Sequence, residues 1–167
     1  MQSEHGCLSL YRALSNFVSN DNVMKQVGDK MEYAEERVRD LMRAHDEYIE
    51  QCRYIRMNEL YRTIVNRPSR RFWVSDIRAS LVIAKMIKGE DVLKGMWPTK
   101  KEMYLEIYQR VLELHKQYPD MKTSELCAMV VEQPAPKFYL AANSAKIMIS
   151  KYRKQWKKEK QKKLRLL

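Results

Sequence analysis

Met24, Val27, Met31, Ala34, Val38, Leu41, His45, Tyr48, Cys52 and Ile55 follow one another at steps of three and four residues. That spacing is one face of an α-helix. Sustained for more than four heptads, it predicts a long heptad helix whose seam packs on a partner. Only His45 in the seam is clearly polar. It reads either as a buried polar residue that fixes register or as a surface position after a small change of helix phase. Before the seam, residues 8–18 predict a short helix, and Ser19-Asn20-Asp21-Asn22 a break and a cap.

After the seam, short helical patterns alternate with breakers. Residues 58–66 predict a helix that Arg67-Pro68-Ser69 ends. Residues 72–89 begin extended and turn helical after Ser75, with Gly89 as the stop. A connector follows. Thr99 is placed to cap the next helix, with Glu102 three residues on as in a capping box, and the helix runs to about Tyr118 before Pro119-Asp120. Thr123 or Ser124 caps a short helix, the segment QPAPKFYL breaks it, and a last helix runs from Ser144 into the C-terminal tail.

A constant offset of 66 aligns two of these stretches without a gap. Glu59-Leu60 falls on Glu125-Leu126, Val65 on Val131, Pro68 on Pro134, Phe72 on Phe138, Ala79 on Ala145 and Ile83 on Ile149. Arg71/Lys137, Trp73/Tyr139, Val74/Leu140 and Leu81/Ile147 are conservative pairs, and the seam obeys the same offset, Leu41 on Ile107 and His45 on Val111. The predicted fold is therefore all-α: a helical bundle of two copies of a trihelical, helix-turn-helix-like unit, plus the long heptad helix. The boundaries read as 1–33 for the N-terminal helix and the start of the heptad helix, 34–89 for the first repeat, 90–99 for a connector, 100–154 for the second repeat and 155–167 for a basic tail. Phe72 and Phe138 are expected to be buried as anchors of the two turns. The two seams are expected to face each other or a second chain.

Charge changes the picture from fold to partner. The net charge is +11, and residues 151–167 alone carry nine basic residues against Glu159. Such asymmetry points to a polyanion, and nucleic acid is the commonest. A groove-reading third helix needs a small core to hold it proud and cations to meet phosphates. The candidate contacts are Arg70, Arg71, Arg78 and Lys85 in the first unit. In the second they are Lys137, Lys146, Lys151, Arg153, Lys154, Lys157 and Lys158. One departure matters: roughly eight to ten residues separate the second and third helices, where an ordinary helix-turn-helix has three or four. Arg70-Arg71-Phe72-Trp73 and Lys137-Phe138-Tyr139 also interleave cations and aromatics, as a single-strand platform does, although such aromatics more often sit in a core.

Catalytic and cofactor signatures are missing. There is no phosphate loop, no GxSxG, no HExxH and no Cys/His spacing for a metal, so neither an enzyme nor a cofactor is expected. Cys7, Cys52 and Cys127 read as reduced thiols. With no apolar run near the roughly 20 residues of a membrane span and no signal-peptide pattern, a cytoplasmic protein without a membrane partner is expected.

The segments RRFWVSDIRASLVIAKMIKGE and QPAPKFYLAANSAKIMISKYRK resemble small basic proteins of phages and mobile elements in gut bacteria, over about residues 65–165. The resemblance implies a context of regulators, packaging subunits or structural components, and supplies no site residues. The leading expectation is a non-enzymatic DNA-binding protein, a regulator or packaging-type accessory, contacting duplex DNA. The alternatives are a scaffolding protein that self-assembles through the heptad helix, and an RNA or single-strand binder.

Overall fold

The computed structural model describes residues 33–165. Among them are six helices and no strand: α1 (Ala34–Gln51), α2 (Met57–Val65), α3 (Asp76–Ile87), α4 (Pro98–Gln117), α5 (Thr123–Glu132) and α6 (Ala142–Leu164). The predicted helix over 8–18, the break after it and the seam from Met24 to Met31 lie outside the described residues.

Local chemistry sets the boundaries. Glu35 and Glu36 place negative charge on the first turn of α1. The Ser75 hydroxyl accepts from the Arg78 N–H at 3.3 Å and caps α3. Gly89, at φ +79°, turns the chain out of α3 in the left-handed region. Two expected caps differ. Pro98, not Thr99, opens α4, because a proline at the first helical position lacks only a hydrogen that would be unpaired anyway. At α5 the cap is Lys122, whose N–H donates to Glu125 Oε2 at 3.2 Å, and Thr123 already lies inside the helix. The heptad helix is also shorter than its pattern predicts: it ends at Gln51.

The starts of the short helices, the starts of the third helices and the ends of the long helices each lie 66 residues apart. The packing is less direct than the sequence suggests. α6 packs on α1 and α2, and α3 packs on α4 and α5; α3 makes no packing contact with α1 or α2, nor α6 with α4 or α5. Each core therefore takes its third helix from the other half of the chain. One core holds Leu41, Leu60 and Ile64 with Phe138, Ala145 and Ile149. The other holds Ile107, Leu126 and Val130 with Phe72, Ala79 and Ile83. Position for position these two sets are 66 apart. Phe72 and Phe138 are both buried as expected, each against the opposite half. The two seams do not meet, since α1 and α4 make no packing contact. Leu41 and Ile107 are instead covered by the exchanged third helices.

The chain crosses over at the two proline-containing turns. Ser69 and Ala135 form an isolated antiparallel bridge, with the Ser69 N–H donating to Ala135 O at 2.9 Å and the Ala135 N–H to Ser69 O at 3.0 Å. The Phe72 N–H donates to Val131 O and the Phe138 N–H to Val65 O, both at 3.0 Å. After the bridge each aromatic pair splits. Phe72 enters one core and Trp73 packs on the other; Phe138 and Tyr139 do the reverse. Phe72 and Tyr139 stack with ring centroids 6.0 Å apart. Tyr139 sits at φ +51°, a left-handed conformation that costs about 1–2 kcal/mol and persists because its ring is held in the core.

If each core needs a helix from both halves, cutting the connector cannot separate them. A protease site inserted beside Gly95, an exposed position with nothing within 4 Å of an added Cβ, should give on cleavage two fragments that co-elute and melt in one transition. Fragments that part on a sizing column without denaturant would contradict the exchange.

Candidate nucleic-acid interface

Nine of the eleven candidate cations are exposed: Arg70, Arg78 and Lys85 in the first half, and Lys146, Lys151, Arg153, Lys154, Lys157 and Lys158 along α6. Arg71 and Lys137 are half-buried. The Arg71 guanidinium lies over the Tyr33 ring at 4.2 Å, and its Nε is buried without a hydrogen-bond partner. Lys137 Nζ pairs with Glu102 Oε2 at 2.6 Å and sits 5.4 Å from the Tyr139 ring. Both side chains are occupied in holding the turn regions, which makes them poor phosphate contacts.

Arg70 is exposed but leans on Asp40, its Nε 3.6 Å from Oδ1. Asp40 is the centre of a polar knot that sequence reasoning does not reveal. Its carboxylate, 1% exposed, accepts at Oδ1 from Arg43 Nε at 2.9 Å and Arg43 Nη2 at 2.6 Å. At Oδ2 it accepts from the Arg70 N–H at 2.9 Å, and the Ser69 hydroxyl lies 3.2 Å away, shared with Arg71 O at 2.8 Å. Arg43 continues to Glu47 at 2.9 Å. In the other half Arg110 does related work, donating to Glu106 Oε1 and to Pro134 O, each at 2.9 Å. The spacing of Asp40, Arg43 and Glu47 is legible as helix-face ion pairs; the contribution of Ser69 is not.

Arg153 is the second correction. Helix phase sets it among the cations that face away from the apolar side of α6, yet its Nη2 donates toward the buried His45 ring, 3.1 Å from Nε2 and 3.2 Å from Nδ1. His45 Nδ1 also lies 2.8 Å from Asp46 Oδ1. His45 is thus the buried polar seam residue, and it ties α1 to α6. Tyr152 and Trp156 line a groove of about 660 Å³ between these same helices, with Met42 and Asp46 opposite. The tail therefore turns toward α1 of the first half and not onto the second unit, and Trp156 stays 52% exposed.

The aromatic dipeptides offer no platform. Phe72, Phe138 and Tyr139 are buried, and Trp73 is half-buried with its indole N–H enclosed and unpartnered. Burial pushes the Tyr139 phenol up to about 12, with Glu106 adding to the rise and Arg110 opposing it. Burial also pushes the Cys127 thiol up to about 11, with Asp76 adding, so at neutral pH it remains a protonated core side chain. Among the described residues no three His, Cys, Asp or Glu side chains gather at metal-binding distance, and no helix is long and apolar enough to cross a membrane. No family model, curated protein or solved structure matches the chain.

The exposed and buried ion pairs should behave differently. Asp40→Asn sets an amide NH2 among donors at a site 1% exposed while Arg43 keeps Glu47 as a charge partner, and should cost about 1–3 kcal/mol in chemical denaturation. Glu35→Gln breaks a 3.6 Å pair between side chains more than half exposed, and should cost below about 0.5 kcal/mol. Equal effects would mean that Asp40 does not hold the crossover.

Proposed function

We propose that the protein is a non-enzymatic DNA-binding protein, a regulator or packaging-type accessory, that contacts the duplex through α6 and, secondarily, α3. The observation that carries this reading is the second half of α6. The helix runs 23 residues, about 35 Å at 1.5 Å per residue. Beyond Trp156 every side chain described is exposed. Lys157, Lys158, Lys160, Lys162 and Arg165 face Glu159 as the only carboxylate. A helical row of cations with little to pack on is suited to neutralising phosphates, and each contact releases a counterion. In the resembled context of phages and mobile elements, such an arm fits a regulator or packaging accessory.

Part of the reading concerns the scaffold. The two halves are read as copies of one trihelical unit, supported by the shared helix offsets and by two cores whose members correspond at 66 residues. The nine or ten residues between second and third helices are the crossover itself. An ordinary helix-turn-helix turn is too short to reach the other half. The scaffolding alternative keeps only part of its seam: Leu41 and His45 are buried within the chain, whereas Ala34, Val38, Tyr48 and Cys52 are half-buried and Ile55 is exposed. The single-strand reading loses its stacking groups to the core.

Removing residues 157–167 should leave the melting transition in place and weaken duplex binding at low salt. The slope of log affinity against log salt should flatten by about 0.9 for each phosphate that the arm no longer neutralises. An unchanged slope would make the arm a solvated helix face. No affinity of the intact protein for duplex DNA even at low salt would overturn the proposal and favour self-assembly.

A further inference from the structure

The exchange of third helices has a consequence for what α3 and α6 show to solvent. Each turns Ala79 or Ala145, and Ile83 or Ile149, into a core. The opposite face of each then carries a large apolar side chain with no cover: Leu81 is 54% exposed and Ile147 59%. Single exposed hydrophobics are ordinary. A matched pair at equivalent positions of two helices is less so. Each is followed on the same face by lysines four and seven residues on, Lys85 and Lys88 after Leu81, Lys151 and Lys154 after Ile147. All four lysines are exposed, and none has a salt-bridge partner among the described residues. Across both helices the only carboxylates are Asp76, whose Oδ1 accepts from the Ile77 N–H at the start of α3, and Glu159 in the arm.

We infer that these two faces read the major groove of A·T-containing duplex DNA, with Leu81 and Ile147 against thymine methyl groups and the flanking lysines on the phosphates. The inference rests on the DNA-binding reading above and adds what the binding discriminates. An apolar side chain on an exposed helix face, followed by cations one and two turns on, is complementary to a groove whose floor presents the thymine 5-methyl group and whose walls are phosphate. The minor groove offers no such methyl. Because both helices are mounted on equivalent cores, one chain presents two reading faces, as a helix-turn-helix dimer does with two subunits.

The test uses the full chain and two duplexes of equal length, one of alternating adenine–thymine and one of alternating adenine–uracil, which differ only in that methyl group. The expected result is weaker binding to the uracil duplex, by about fourfold for each methyl group that Leu81 or Ile147 would otherwise cover, with the same salt slope for both. Leu81→Ala with Ile147→Ala should abolish the preference and leave the salt slope as it was. Both side chains lie outside the two cores, so the melting transition of the double variant should match the parent. Equal binding of the two duplexes by the parent protein overturns the inference and leaves the cationic arm as the binding element. A preference that survives the double variant overturns it as well. Failure to bind either duplex at low salt overturns the DNA-binding reading with it.

Discussion

Two hydrogen bonds between Ser69 and Ala135 hold the point at which the chain exchanges its third helices. Everything downstream of each turn depends on that crossing, since it sends α3 to α4 and α5, and α6 to α1 and α2. Four backbone bonds alone are weak in net terms, each contributing about 1 kcal/mol. The crossing is specified by what surrounds it. Asp40 binds the Ser69 hydroxyl and the Arg70 N–H from one side, and Arg110 binds Pro134 O from the other. Phe72 and Phe138 then drop into opposite cores immediately after the bridge. A buried carboxylate is rarely a source of net stability. Here Arg43 balances its charge within α1 whatever the turn does, while another register of the turn would take the Arg70 N–H away and leave a buried carboxylate oxygen short of a donor, so its effect is on which crossing forms.

This accounts for the repeated spacing within the chain better than packing of separate units does. If each half folded on its own third helix, a turn of three or four residues would suffice. The longer turns, the prolines and the paired aromatics are needed because each turn must span to the other half and deliver one ring to each core. The left-handed Tyr139 is the local cost of that delivery. Its counterpart Trp73 keeps an ordinary φ and carries no such cost.

Much of the fold was legible in the sequence. Hydrophobic spacing marked helices close to those found, and residues paired by the offset of 66, such as Leu41 with Ile107 and Phe72 with Phe138, are buried. The exchange itself was not legible, because a pattern of buried positions says which residues are covered and not by which segment. The same ambiguity misdirects the seam: Leu41 and Ile107 are buried as their spacing requires, but by α6 and α3. Of the candidate site residues, exposure follows from helix phase for those on α3 and α6. The roles of Arg71, Lys137 and Arg153 do not, because their partners, Tyr33, Glu102 and His45, are remote in sequence. Nothing in a cation's own neighbourhood tells whether a distant ring or carboxylate will claim it.

The charge of the arm and the exchange of helices are linked. α6 is anchored over its first three turns by Ala145, Ile149 and half-buried Met148 and Tyr152, and by Arg153 on His45. That anchorage lies on α1 and α2, in the half of the chain where Glu35, Glu36, Asp46 and Glu47 gather on α1. Beyond Trp156, among the described residues, the helix is held by its backbone and by weak side-chain pairs, Gln155 with Glu159 at 3.3 Å and Lys160 over Trp156 at 5.1 Å. Like charges repeated at three- and four-residue spacing oppose helix formation by a few tenths of a kcal/mol per pair. Under the proposed DNA-binding reading, a polyanion laid along the arm would remove that repulsion, so that neutralisation by phosphates and retention of the helix would reinforce each other.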